Sequence, residues 1–222
     1  MSVERTNGQY LTRKELIEVL CEFLEIAIHQ IVYVRQIYPH ELFKKCRKYN
    51  IPLQQSRHPG LNEWITNAVL ACKSNLEKGL VERVNVIILN EQNPVERFVF
   101  EVENIVAPEL VRDDVRVEGG LQCGDLEHYL RAFLLKIHSC DAYLPPIPPE
   151  CTFLVAMELK KGHEPAQLKP DFLWVPAEPS EHSRSGLEEM EIVPLKSMDA
   201  GLLKLQLIVE VHRAKKGKMR EP

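Results

Sequence analysis

Apolar positions open the chain in a helical rhythm. Leu16, Val19, Leu20, Phe23, Ile26, Ala27, Gln30, Ile31 and Val34 recur every three or four residues. Thr12-Arg13-Lys14-Glu15 precedes them, a hydroxyl followed three residues on by a glutamate, which is a capping-box pattern. The pattern predicts a helix from Arg13 to Tyr38, stopped by Pro39, whose wide apolar stripe places it at the centre of the fold. A second stripe, Leu61, Trp64, Ile65, Ala68, Val69, Cys72 and Leu76, begins after Pro59 and ends before Gly79, where a C-terminal glycine is favoured. Between the two, His40 to Ser56 carries Lys44-Lys45-Cys46-Arg47-Lys48 and Asn50-Ile51-Pro52, and reads as a small hairpin or loop.

The rhythm then changes. Val84 to Leu89 and Val95 to Val102 predict two strands joined by a turn at Asn90 to Pro94, a β-hairpin. Asn104 to Gly120 is a polar excursion. Leu126, Tyr129, Leu130, Phe133, Leu134 and Ile137 give a third helix from Gly124 to Cys140, after which Pro145, Pro146, Pro148 and Pro149 break the chain. Cys151 to Leu159 and Phe172 to Val175 read as strands. Leu203, Leu205, Leu207, Val209 and Val211 alternate with Lys204, Gln206, Ile208 and Glu210, a strand with one buried face. The order predicts an α+β fold, with a mainly antiparallel sheet and helices on one face. Phe172 to Lys196 stands apart: a polar run rich in Pro and Ser lies between two apolar patches. Loops this long in compact domains are usually functional or disordered.

Composition narrows the classes. The 222 residues, 45% hydrophobic and 27% charged, suit one large domain or two small ones. A formal net charge of −4 argues against nucleic-acid binding by the whole surface. Met1 to Gln9 is polar and has no secretory pattern, and Glu15, Glu18, Glu22 and Glu25 exclude a membrane span in the first apolar stretch. Cys21, Cys46, Cys72, Cys123, Cys140 and Cys151 form no C-x-x-C pair and read as buried free thiols in a reducing compartment rather than a zinc site or disulfide framework.

Catalytic signatures are missing. No G-x-G-x-x-G, P-loop or G-x-S-x-G occurs. His128 and His138 lie ten apart, too far to share a metal on one helical turn. Asp113-Asp114 and His163-Glu164 lack further ligands, so neither a metal nor a cofactor is expected. The basic clusters Lys44 to Lys48 and Lys215 to Arg220 have no interleaved aromatics to stack bases.

Several blocks together resemble the HORMA-domain accessory subunits of DNA polymerase zeta, a branch of the mitotic-arrest-deficient-like group. They are Val19 to Glu25, Tyr33 to Pro39, Lys48 to Pro52, Pro94 to Glu101, Leu130 to Ile137, Cys151 to Phe153 and Val193 to Lys196. They keep the family order over nearly the whole chain. The resemblance implies a single HORMA domain spanning residues 1–222: a core at 10–160, a "safety belt" at 160–212 and a basic tail at 213–222. It implies a non-catalytic adaptor that clasps a proline-containing peptide of the polymerase zeta catalytic subunit, with Phe172 to Lys196 in the belt. The adaptor would bridge that subunit to the C-terminal domain of a Y-family polymerase scaffold in translesion synthesis, and act in repair-route choice at double-strand breaks.

By the same resemblance, Trp64 and Trp174 contact the captured peptide, Trp64 replacing the family's usual tyrosine. Ile192, Gln206 and Ile208 form the surface for the second polymerase, with Ile192 in place of leucine and Ile208 in place of tyrosine. Lys45, Arg131 and Ala142 fall at the dimer interface of a HORMA homodimer or heterodimer. Shieldin-type repair factors and an AAA+ remodelling ATPase are further implied partners, in the nucleus, with cytoplasm and spindle as other places. Val106 to Cys123, and the belt between Trp174 and Pro194, look longer than the family's. The alternatives are a spindle-checkpoint adaptor of the same fold, direct DNA binding through the basic clusters, and an enzyme.

Overall fold

The computed structural model describes residues 10–103, 121–164, 174–175 and 190–212. Helix α1 (Arg13–Val34) starts where the capping box places it: Glu15 N–H donates to Thr12 Oγ1 at 3.2 Å, and Thr12 N–H to the Glu15 carboxylate at 2.9 Å. Its end comes sooner than the sequence suggests, at Val34 rather than Tyr38. Gln36 turns left-handed (φ 53°); Gln36 N–H then reaches Tyr33 O, and Ile37 N–H reaches Val32 O. This closes the helix as a Schellman motif. A long-range clamp holds that end: the buried Arg35 guanidinium bonds Glu96 (2.8 Å), Asp141 (2.6 Å) and Pro145 O (2.6 Å).

His40 to Ser56 is a hairpin, β1 (Phe43–Lys48) antiparallel to β2 (Ile51–Ser56). Its two-residue turn, Tyr49-Asn50, has both φ positive, 47° and 60°, as a type I′ turn requires. Isolated hairpins are marginal. This one leans on α1: Phe43 packs edge-to-face on Tyr33, Lys48 pairs with Glu22, and Gln54 N–H donates to Gln30 Oε1 at 3.1 Å. Helix α2 (Pro59–Glu77) has Pro at its first position and His58 as cap, and Gly79 (φ 67°) ends it in a second Schellman motif.

Strands β3 (Val81–Asn90) and β4 (Asn93–Glu103) form the expected hairpin. The turn is only Glu91-Gln92, both left-handed, rather than Asn90 to Pro94. Helix α3 is Cys123–Ser139, followed by β5 (Thr152–Leu159), β6 (Met190–Asp199) and β7 (Lys204–His212). Five strands make one antiparallel sheet in the order β5-β3-β4-β7-β6. One face carries Phe98, Phe100, Leu205, Leu207 and Val209 into the helices. Phe23 of α1 sits edge-on to Phe100 of β4 (6.0 Å) and Phe133 of α3 (5.9 Å), so one ring ties the sheet to two helices. The other face carries cross-strand charge pairs, Arg83 with Glu101 and Glu158, Arg97 with Glu210, and Lys204 with Glu103.

All six cysteines are free; Cys46 is half-buried and the other five are buried. Burial pushes the Cys21, Cys72 and Cys140 thiols up to about 12. Trp174 and Val175 lie in no strand, contrary to the sequence reading, and Phe172-Leu173 fall outside the described residues. So do the Asn104 to Gly120 excursion, most of the stretch assigned to the belt before Met190, and the basic tail.

Candidate functional site

Strand β5 is an edge strand: β3 pairs with one side of it, and no described strand pairs with the other. Its residues past Thr152 are half-buried throughout, as an edge with one open flank should be. Beside it lies a groove of about 480 Å³, lined by Tyr38, Leu42, His58, Leu61, Trp64 and Phe153, with Gly60 in its wall. The local sequence builds each part. Tyr38 follows the Schellman turn of α1. His58 caps α2 through Nδ1, which accepts from Leu61 N–H at 3.2 Å. Trp64 then falls on the open side of the first turns of α2.

Phe153 holds the groove together. It stands edge-to-face with Trp64 (5.2 Å, 83°) and with Tyr38 (6.4 Å, 82°). Such pairs contribute about 0.5–1.5 kcal/mol beyond area burial. Trp64 is nonetheless 38% exposed, an apolar surface next to the flank of β5 that no described strand pairs. This arrangement offers an extended peptide hydrogen bonds along β5 and an apolar socket for one of its side chains.

Of the residues singled out from the sequence, Trp64 is in this groove. Trp174 is not among its lining residues; it is half-buried and packs against the core, beside Val175, which is 80% exposed. Ile192, Gln206 and Ile208 come together at the opposite sheet edge. Gln206 and Ile208 alternate outward on β7, opposite Ser197 and Pro194 of β6, while Ile192 pairs with Glu210 and so shares their face. Ile192 is 60% exposed. Arg131, half-buried on α3, and Ala142, exposed in the short 3-10 turn after it, lie on another side. Exposed Lys45 stands opposite Gln54 in the hairpin, and that hairpin is joined to α3 through Gln30, which also contacts His138 at 3.1 Å. Sequence reading missed Tyr38, Leu42, His58 and Phe153. Phe153 carried a signal, an aromatic inside an apolar strand, but nothing local said the strand would be an edge.

Among the described residues, no group of three or more His, Cys, Asp or Glu is placed to hold a metal, and no helix is long and apolar enough to cross a membrane. A sequence model for the HORMA domain matches residues 17–170. The chain belongs to the HORMA-domain family.

Among HORMA proteins it is similar to MAD2B, the mitotic spindle assembly checkpoint protein of Homo sapiens: 42% identical over 218 residues, covering 93% of this chain and 98% of that protein. It is also similar to the DNA polymerase zeta processivity subunit of Schizosaccharomyces pombe, 34% identical over 203 residues, covering 90% and 94%. Two solved structures share the HORMA fold. A chain of a mitotic checkpoint complex superimposes with a TM-score of 0.71 at 22% identity, over 90% of this chain and 99% of that one. HTP-2 of C. elegans bound to the HIM-3 closure motif gives 0.68 at 11%, over 95% and 99%.

Proposed function

We propose that this HORMA protein is a non-catalytic adaptor that binds an extended peptide of the polymerase zeta catalytic subunit along the open edge of β5, with one apolar side chain in the Trp64 groove. The observation that carries the reading is the pairing of a sheet edge, open among the described residues, with an aromatic socket. Main-chain pairing supplies affinity, and the socket supplies selectivity. Two further facts support it. Leu159, just before the belt, and Met190, within it, lie at opposite edges of the sheet, so the part of the belt between them joins one edge to the other. A processivity subunit of polymerase zeta is among the full-length relatives.

On this reading Trp174 assists from the belt. Ile192, Gln206 and Ile208 present a second surface, three and four strands away on β7 and β6, to the C-terminal domain of a Y-family polymerase scaffold in translesion synthesis. Lys45, Arg131 and Ala142 serve HORMA–HORMA association. A nuclear protein of this kind would also meet shieldin-type repair factors and an AAA+ ATPase that opens the belt.

The test is titration of the full chain with a fluorescent peptide from the catalytic subunit. Trp64→Ala should weaken binding by about 2 kcal/mol or more, as a buried aromatic anchor does. Ile192→Glu should leave peptide affinity unchanged and abolish scaffold binding. Equal peptide affinity for wild type and Trp64→Ala would sink the groove assignment.

A further inference from the structure

The hairpin has an edge of its own. Gln54 directs its N–H away from β1, to Gln30 Oε1, so Lys45 and Gln54 form a pair that exchanges no backbone hydrogen bonds. By alternation Arg47 and Pro52 form another, which suits Pro52, since it has no N–H to give. The N–H and C=O groups of Lys45 and Arg47 therefore face away from β2. They meet no partner among the described residues.

The side chains add charge to that edge. Lys45 and Arg47 are exposed on one face of the strand and Lys44 on the other, and no described carboxylate pairs with any of the three. Lys48, by contrast, is engaged by Glu22. The edge is also preorganised, by the tight Tyr49-Asn50 turn at one end and the Phe43–Tyr33 contact at the other.

We propose that β1 takes an extended acidic peptide as a third strand of the hairpin, with carboxylates two residues apart lying beside Lys45 and Arg47. Cations on an edge strand also guard against aggregation, but guarding does not require that they be unpaired and aligned with free main-chain groups. A nucleic acid could use the charges and single N–H groups but could not continue the alternating N–H and C=O ladder, and the hairpin shows no aromatic platform for bases. This site is separate from the Trp64 groove and does not depend on it.

The probe is a fluorescein-labelled peptide of alternating Glu and Thr, titrated into the full chain and read by anisotropy at low and near-physiological salt. Saturable binding is expected. The double variant Lys45→Glu with Arg47→Glu should lose about tenfold or more, the worth of two opposed charge pairs. Lys44→Glu, on the other face, should lose much less, and Trp64→Ala nothing. Methylating the peptide backbone nitrogens should also lose about tenfold, because it removes the ladder bonds. The proposal is overturned by absence of saturable binding, by unchanged affinity of the methylated peptide, or by equal loss in Lys44→Glu. Displacement of the peptide by oligo-dT with a steep salt slope would assign the edge to nucleic acid instead. A change in the sedimentation of the peptide-free chain on Arg47→Glu, a residue outside the Lys45–Arg131–Ala142 association surface, would assign the edge to a second copy.

Discussion

Gln30 donates from Nε2 to His138 Nδ1 across 3.1 Å, and a third group fixes the direction of that bond. Gln54 N–H can only donate, so it must meet the Gln30 carbonyl oxygen, which turns the amide nitrogen toward the imidazole. His138 is therefore the tautomer with its proton on Nε2. His138→Ala strands the fully buried Gln30 amide and should destabilise the fold by about 1 kcal/mol, with faster amide exchange at Gln54. Nitrogen-15 spectra of the imidazole check the tautomer directly; a proton on Nδ1 would refute the relay.

His29 lies 2% exposed in α1, and neither ring nitrogen has a hydrogen-bond partner among the described residues. Burial lowers its pKa from 6.5 to about 4. The folded state thus favours the neutral ring. Its contribution is complete above pH 6.5 and lost as pH falls toward 4, on the order of 3 kcal/mol in all. Urea unfolding of His29→Leu should lack that acid slope and show higher stability than wild type at pH 4.

Glu96 has the opposite sign. Burial pushes its carboxyl up to about 6 despite the Arg35 guanidinium beside it. Its contribution is complete below pH 4.5 and lost as pH rises through 6, on the order of 2 kcal/mol. Glu96→Gln should remove this slope in the same unfolding series. It should also leave the gap between variant and wild type smallest at low pH.

Gln36 occupies the left-handed position that ends α1. Glycine adopts that conformation without the steric penalty of a side chain. Gln36→Gly should therefore stabilise the protein by up to about 1 kcal/mol, seen as a higher melting temperature with unchanged peptide affinity.

The legible parts were the local ones. The Thr12–Glu15 box set the start of α1, the alternation from Leu203 to Val211 set β7, and Gly79 marked the end of α2. The end of α1 was misplaced because Ile37 keeps the apolar period while Arg35 is held by Glu96, Asp141 and Pro145, partners far along the chain. The β3–β4 turn was drawn too wide because Glu91 and Gln92 are poor left-handed residues, while Asn90, Asn93 and Pro94 carry the usual turn signals. Trp64 entered the site through family resemblance. Its socket could not be read locally, since Tyr38, His58 and Phe153 meet only once β5 is placed at the edge.

The five buried thiols make the molecule its own unfolding reporter. The thiolate is the nucleophile that attacks an alkylating reagent, and a thiol pushed up to about 12 inside the core offers almost none of it. Cys46 alone is half in solvent. Under a thiol-blocking reagent the native chain should take one label slowly, while Cys21, Cys72 and Cys140 stay silent until the helices separate from the sheet. Each further label then counts an opening event, and a client that closes on the fold registers as labels never gained.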